Sequence, residues 1–243
     1  MSELKHNAKS WDTAWSNEGS QSWYPDEQIV RFLAGQFVQR VGPSGTLFNH
    51  KRDNTNLVGV DFGCGKGRHI VTMREHGIEG FGIDLSEVGV KQANQWLDHL
   101  NFPKTATAGS LTDMPYDNNQ FDLGICHGVL DHMTSSIRAA SLSEIQRTLK
   151  PGAKLLLSLI SENDSALGEG EEIEYKTWLI TDGYEKDLPQ AFFDQARIQN
   201  ELKHFNIIAV TEVLNQTHKG RSLIGTDKHY ACDARYYITA ESR

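Results

Sequence analysis

Asp61, Gly63, Gly65, Gly67 and Asp84 are the residues whose types and spacing speak most directly of chemistry. The first four lie in Leu-Val-Gly-Val-Asp-Phe-Gly-Cys-Gly-Lys-Gly-Arg, residues 57–68, and Asp84 closes Gly80-Phe-Gly-Ile-Asp. Alternate glycines let bare backbone approach a ligand, because no Cβ stands in the way. A helix beginning at about Arg68 turns its free N–H groups to the same place. Asp84 is the first acidic side chain able to reach a ribose from a second strand. A nucleotide-type ligand is the expectation.

Two details bear on which nucleotide. A dinucleotide fingerprint spaces its glycines G-x-G-x-x-G, which would put the third glycine at 68. This chain has Arg68 there and the glycine at 67. Asp61 stands two residues before the first glycine, beside the helix N-terminus, where a carboxylate would repel a pyrophosphate and suits an ammonium group. A dinucleotide oxidoreductase is therefore disfavoured.

The elements that must position these residues alternate in type. Leu57 to Phe62 is a short apolar run fit for a buried strand, and Ile70, Val71 and Met73 give the next helix an apolar face up to Gly77. Gly80 to Asp84 is a second strand, Ser86 an N-cap, and Val88 to Leu100 a second helix. Thr105–Ala108 and Phe121–Cys126 are the third and fourth strands, and a helix over Ala139–Leu149 stops at Lys150-Pro151-Gly152. Lys154–Ile160 is the fifth strand, Ile207–Val213 the sixth and Tyr236–Ala240 the seventh, with a helix from Phe192 to Leu202 before the sixth. Strands alternating with helices predict an α/β fold, a doubly wound and mostly parallel sheet with ligands at the carboxyl ends of its strands.

Outside this frame lie two segments. Residues 1–28 are polar yet carry Trp11, Trp15, Trp23 and Tyr24, an arm whose aromatic rings need something to cover. After it, a helical stripe from Ile29 to Val41 ends at Gly42-Pro43-Ser44-Gly45. Residues 161–190 turn acidic, with Glu162, Asp164, Glu169, Glu171, Glu172 and Glu174 around Trp178 and Tyr184. A connection of that length is a functional lid or disordered. His218, Lys219, Arg221, Lys228 and His229 form a basic link before the last strand, either a solvated loop or a seat for an anionic substrate group.

At 243 residues, with a net charge of −8 and a pI near 5.7, the chain suits one domain, 1–243, and its charge argues against coating nucleic acid. Cys64, Cys126 and Cys232 have neither disulfide-framework nor zinc spacing, which favours a reducing cytoplasm and no metal. No stretch has the length and apolarity of a membrane span or a signal peptide.

The ordered set Asp-x-Gly-x-Gly-x-Gly, Asp84, Phe121-Asp122, Val129-Leu130-Asp131-His132 and Leu149-Lys150-Pro151-Gly152 resembles the class I S-adenosylmethionine-dependent methyltransferases, small-molecule type. The resemblance spans about residues 57–160. It implies a seven-stranded sheet with an antiparallel last strand, helices on both faces, and S-adenosylmethionine as cofactor. It further implies that Asp61 and the Gly63, Cys64, Gly65, Gly67 and Arg68 turn face the methionine part. Asp84 and Leu85 would hold the ribose, Ser110 and Leu111 would border the adenine, and Cys126 and His127 would lie near the sulfonium or amino group. One departure is Ser110, where the family commonly has an acidic residue four before Met114-Pro115; Asp113 is a nearby substitute.

His132, just past the fourth strand, is the candidate base, because histidine takes up a proton near neutrality; the alternative is a structural helix-entry histidine. No Asn-Pro-Pro-Tyr or Asp-Pro-Pro-Tyr follows the fourth strand, which argues against methylation of a nucleobase or glutamine amide. The expected acceptor is a small molecule, a hydroxyl of a sugar or similar metabolite first and an amine second, under residues 161–190 and the arm. A non-catalytic cofactor-binding scaffold is the rival from another class.

Overall fold

A computed structural model describes residues 3–16, 23–40, 48–50, 56–181, 185–218 and 230–243. Helix α1 (Glu3–Ser16) precedes α2 (Glu27–Gln36), whose N-cap Asp26 accepts the Gln28 N–H at 2.8 Å. The helix expected to run to Val41 ends at Gln36, because Val38–Arg40 (β1) gains cross-strand hydrogen bonds to Phe48–His50 (β2). Val41 and the Gly42–Gly45 turn lie outside the described residues.

The main sheet is built from β3 (Val58–Phe62), β4 (Glu79–Asp84), β5 (Ala106–Ala108), β6 (Phe121–Cys126), β7 (Leu149–Ile160), β11 (Phe205–His218) and β12 (Tyr230–Ser242). Its order is β11-β12-β7-β6-β3-β4-β5. The last five are parallel, and β12 runs antiparallel to both β7 and β11. The expected seven-stranded, mostly parallel sheet with an antiparallel last strand is observed.

Alternation along the strands divides the core between the two faces. Leu155, Leu157 and Leu159 pack with Leu142 and Ile145 of α5 (Ser135–Thr148) and Ile198 of α6 (Gln195–Glu201). Leu123, Ile125 and Leu156 pack instead against Ile29, Phe32 and Leu33 of α2 and Met73 of α3 (Arg68–Glu75). Helix α4 (Glu87–His99) joins α3 through Val90, Ala93 and Leu97. Each fully buried Leu or Phe of this kind contributes about 1.5–3 kcal/mol.

Two boundaries differ from expectation. Pro151 and Gly152 do not delay the fifth strand, since β7 starts at Leu149, paired with Phe121, and runs through them. The acidic 161–190 segment carries strands of its own: β8 (Glu171–Glu174), β9 (Thr177–Leu179) and β10 (Pro189–Ala191) form a small antiparallel sheet in the order β10-β9-β8. Arg197 anchors it, donating to the carbonyls of Phe192 and Lys176, and Lys176 pairs with Glu162 and Asp194 at 2.7 Å each. The basic link at 219–229, with Tyr184 and the side chain of His218, lies outside the described residues.

Candidate cofactor site

The turn between β3 and α3 folds back on β4. Gly63 and Cys64 donate their N–H groups to the Ile83 carbonyl at 2.7 and 3.0 Å, and Gly67 N–H closes the turn onto Cys64 O at 2.8 Å. Gly65 and Gly67 have φ of 49° and 86°, in the left-handed region that favours glycine. A Cβ at Gly65 would lie 2.7 Å from the Trp15 ring, and one at Gly67 2.8 Å from Ala93 Cβ. The third glycine thus serves helix packing one residue earlier than a dinucleotide fingerprint would place it.

Asp84 is buried at the carboxyl end of β4, where its two oxygens accept Gly65 N–H at 2.7 Å and Ser86 N–H at 2.8 Å. Burial pushes its carboxyl up to about 6 against these two donors, and Asp61 and Asp12 add to the rise. Helix α1 closes over this point: Asp12 Oδ1 accepts from Ser86 Oγ at 2.6 Å and from Val88 N–H at 3.1 Å. Beneath α1 is a cavity lined by Gly63, Asp84, Leu85, Ser110, Leu111 and His132, with Trp11 and Trp15 as its roof and Gly128, Val129 and Met133 alongside.

The remaining expected site residues lie around that cavity and not on its wall. Asp61 is 1% exposed; its Oδ2 makes no hydrogen bond and lies 3.4 Å from His69 Nδ1. The Cys64 and Cys126 thiols are buried, and burial raises both well above the ordinary thiol range. Cys126 packs within the core cluster of the β7 face. Arg68 reaches toward the arm, its Nη1 3.4 Å from Tyr24 O. Ser110 Oγ is paired with Thr112 Oγ1 at 2.8 Å, while Asp113 is exposed.

His127 sits in a buried polar cluster at the carboxyl ends of β6 and β7. Ser158 Oγ accepts Gly128 N–H at 3.0 Å and faces Arg235 Nη1 at 3.3 Å, so its own proton goes to His127 Nδ1 at 3.0 Å. That leaves a proton on Nε2, which faces Asp26 Oδ2 at 3.8 Å. Burial, with His69, Arg235 and Arg68 nearby, brings His127 down to about 3, against the pull of Asp26. Tyr237 stacks on the imidazole at 5.9 Å between centroids and donates to Asp26 Oδ2 at 3.0 Å. Arg235 also pairs with the fully buried Asp131 at 2.6 Å. Burial pushes Asp131 up, and Arg235 with His132 outweighs it, holding the carboxyl below its ordinary value.

His132 is 5% exposed, its Nδ1 3.2 Å from Pro189 O and its Nε2 3.6 Å from Glu185 Oε1. The edge of Trp11 meets its ring at 5.3 Å between centroids. Asp12, Lys66, Asp26 and His69 also belong to the site and its surroundings. Lysine between two glycines of the motif was the one signal among them in the sequence; Asp12 and Asp26 depend on the arm docking over the strand ends, and His69 on which face of α3 turns inward.

The glycine turn, the buried Asp84 beside it and the strand order make an α/β fold of the methyltransferase kind. Residues 60–157 match the family described as "Methyltransferase domain". A carboxy-S-adenosyl-L-methionine synthase of Colwellia psychrerythraea is 28% identical over 155 residues, 60% of this chain; the chain spans 61% of that relative's length. Among solved structures, one described as "Conversion of a Disulfide Bond into a Thioacetal Group during Echinomycin Biosynthesis" superposes with a TM-score of 0.65 at 17% identity, over 97% of this chain and 92% of the other. A SAM-dependent methyltransferase from Methanosarcina mazei gives 0.59 at 18% identity, over 76% and 92%. Over residues 60–157 the chain is thus similar to the S-adenosylmethionine-dependent methyltransferases, whose cofactor is S-adenosylmethionine. The residues present suit it: Asp61 Oδ2 is a buried acceptor without a hydrogen bond, which suits an ammonium, and buried Asp84 lines the cavity beside the glycine turn.

Proposed function

We propose that this chain transfers a methyl group from S-adenosylmethionine to a small-molecule acceptor, first a hydroxyl of a sugar or similar metabolite. The observation that carries this reading is the cavity under α1, where Asp84, Leu85, Ser110 and Leu111 meet Gly63 and His132. When bound, the cofactor supplies a methyl already activated by its sulfonium. The protein's part is to bind, orient and exclude water, which accounts for most of the acceleration in a transfer of this type.

In this assignment Asp84 accepts the ribose hydroxyls, Ser110 and Leu111 border the adenine, and Asp61 takes the ammonium. Gly63, Cys64, Gly65, Gly67 and Arg68 shape the turn around the amino-acid end. Cys126 and His127 stand behind the sulfonium end of the strands. His132 is the base that removes the acceptor's proton; Pro189 O, accepting from Nδ1–H, fixes the tautomer that leaves the Nε2 lone pair to take one, and Glu185 Oε1 at 3.6 Å stabilises the charge that results. Residues 1–28 and 161–190 are the cover of a single domain, 1–243. A cytoplasmic setting and an acceptor other than nucleic acid fit the free cysteines and the net charge of −8. Among the described residues no helix is long and apolar enough to cross a membrane.

The test is incubation of the purified chain with methyl-labelled cofactor and fractionated polar metabolites. Label in a neutral, base-stable ether product supports O-methylation, and label in a cationic product moves the acceptor to an amine. Cofactor binding with no transfer to any fraction would leave a scaffold.

A further inference from the structure

Among the described residues, five buried side-chain nitrogen or oxygen atoms make no hydrogen bond: Trp15 Nε1, Asp61 Oδ2, Lys66 Nζ, Arg74 Nε and Asp131 Oδ1. Arg74 and Asp131 are held through their other atoms, Arg74 Nη2 by Gly80 O and Asp131 Oδ2 by Arg235. Of the other three, Lys66 lies in the glycine turn, Asp61 in β3 just before it and Trp15 in the helix lying on it. Buried polar atoms are almost always paired, and an unpaired ammonium is among the costliest exceptions.

Lys66, between Gly65 and Gly67, is 5% exposed. Its cover is thin. The Nζ sits 5.5 Å from the Trp15 ring centroid and 5.8 Å from that of Trp23, which is itself 40% exposed. Two ring faces attract the charge but supply no hydrogen-bond acceptor. Trp15 also presses on Gly65 and lines the cavity beside Gly63 and Asp84. Two donors without acceptors, the lysine ammonium and the indole N–H, thus lie together where Trp15 covers Gly65, in the turn that follows β3 and its Asp61, whose Oδ2 makes no hydrogen bond. Two donors and one acceptor form the complement of an amino-acid zwitterion.

We propose that Lys66 and the Trp15 indole N–H hold the carboxylate of the cofactor's amino-acid end, while Asp61 takes its ammonium. The inference rests on the cofactor assignment above and adds to it a charge pair that binds only the amino-acid part. Burial lowers the Lys66 pKa from its ordinary value, the direction expected of an ammonium waiting for an anion. It also makes α1 part of the recognition, since the helix that roofs the adenosine cavity supplies one of the two donors.

The experiment compares two ligands by calorimetric titration. S-adenosylhomocysteine carries the amino-acid end, and 5′-deoxy-5′-methylthioadenosine has the same nucleoside and thioether without it. Lys66→Met is expected to weaken S-adenosylhomocysteine at least tenfold and to leave methylthioadenosine within twofold. Lys66→Arg should restore most of the loss, and Trp15→Phe, which keeps a ring on Gly65 and deletes the N–H, should cost the first ligand severalfold and the second nothing. Equal weakening of both ligands would make Lys66 a keeper of the loop's shape, and unchanged affinities would remove it from the site; either overturns the proposal. If neither ligand binds the unsubstituted chain, the cofactor assignment itself fails, and this inference with it.

Discussion

Gly65 gives its backbone N–H to Asp84 Oδ2 at 2.7 Å, joining the glycine turn after β3 to the end of β4. One carboxylate thus closes the loop and faces the cavity under α1 with its remaining lone pairs. Charge-assisted bonds of this kind are worth about 1.5–3 kcal/mol each. Asp84→Ala is expected to weaken S-adenosylhomocysteine at least tenfold in a folded protein, measured by calorimetry with circular dichroism as the control. Affinity should also fall with acid. The carboxyl is raised to about 6, the ligand's hydroxyls need the ionised form, and protonation below that pH removes it. A flat affinity between pH 7.5 and 5 would take Asp84 out of ribose binding.

His132→Ala should lower the maximal rate far more than it weakens the cofactor. If its Nε2 takes the acceptor's proton, the deficit shrinks as pH rises, because solvent base replaces it. An active variant with an unchanged pH profile would leave His132 as a strut between the short helical turn Leu130–His132 and β10, held by Pro189 O.

The neutral His127 predicts a pH-dependent difference in stability. Its folded pKa, about 3, lies below the ordinary histidine value, so the unfolded chain binds more protons between those limits. Stability from keeping it neutral is complete above about pH 6.5 and is lost toward acid at roughly 1.4 kcal/mol per pH unit. His127→Gln should melt below the unsubstituted protein at pH 7.5, and the gap in Tm should close as pH falls to 5. A gap that stays constant would mean that His127 titrates alike in the folded and the unfolded chain.

Arg138 is 1% exposed and binds Glu201, donates to Met133 O at 2.7 Å and lies over Phe193 at 5.0 Å. Removing one partner of such a buried pair typically costs about 3–5 kcal/mol, because the other charge stays buried. Arg138→Ala is expected to lose that much in urea denaturation. Loss below about 1 kcal/mol would show that Arg197, also paired to Glu201, satisfies the carboxylate alone.

How much of this was legible in the sequence depends on how local each feature is. The glycine turn, Asp84 and the strand order follow from short motifs whose spacing sets their geometry. Asp61 was legible as a carboxylate beside the turn, but His69 at 3.4 Å was not, since nothing marks which face of α3 turns inward. His127 was placed near the sulfonium end, yet its neutral, Nε2-protonated form comes from Ser158, Asp26, Tyr237 and Arg235. Those four arrive from β7, the start of α2 and β12, and no window of sequence holds them together. The β8–β10 sheet was hidden by its composition, because Glu171-Glu172-Ile173-Glu174 has no apolar alternation and is placed by Lys176 and Arg197. Asp113 stood close to the adenine end in sequence, and the turn after β5 points it to solvent.

The most direct test of the account is a pair of calorimetric titrations of the unsubstituted chain, one with S-adenosylhomocysteine and one with NAD. The glycine at 67, the orphaned Asp61 acceptor and the two Asp84 contacts predict one-to-one binding of S-adenosylhomocysteine and none of NAD. Binding of NAD without S-adenosylhomocysteine would contradict it.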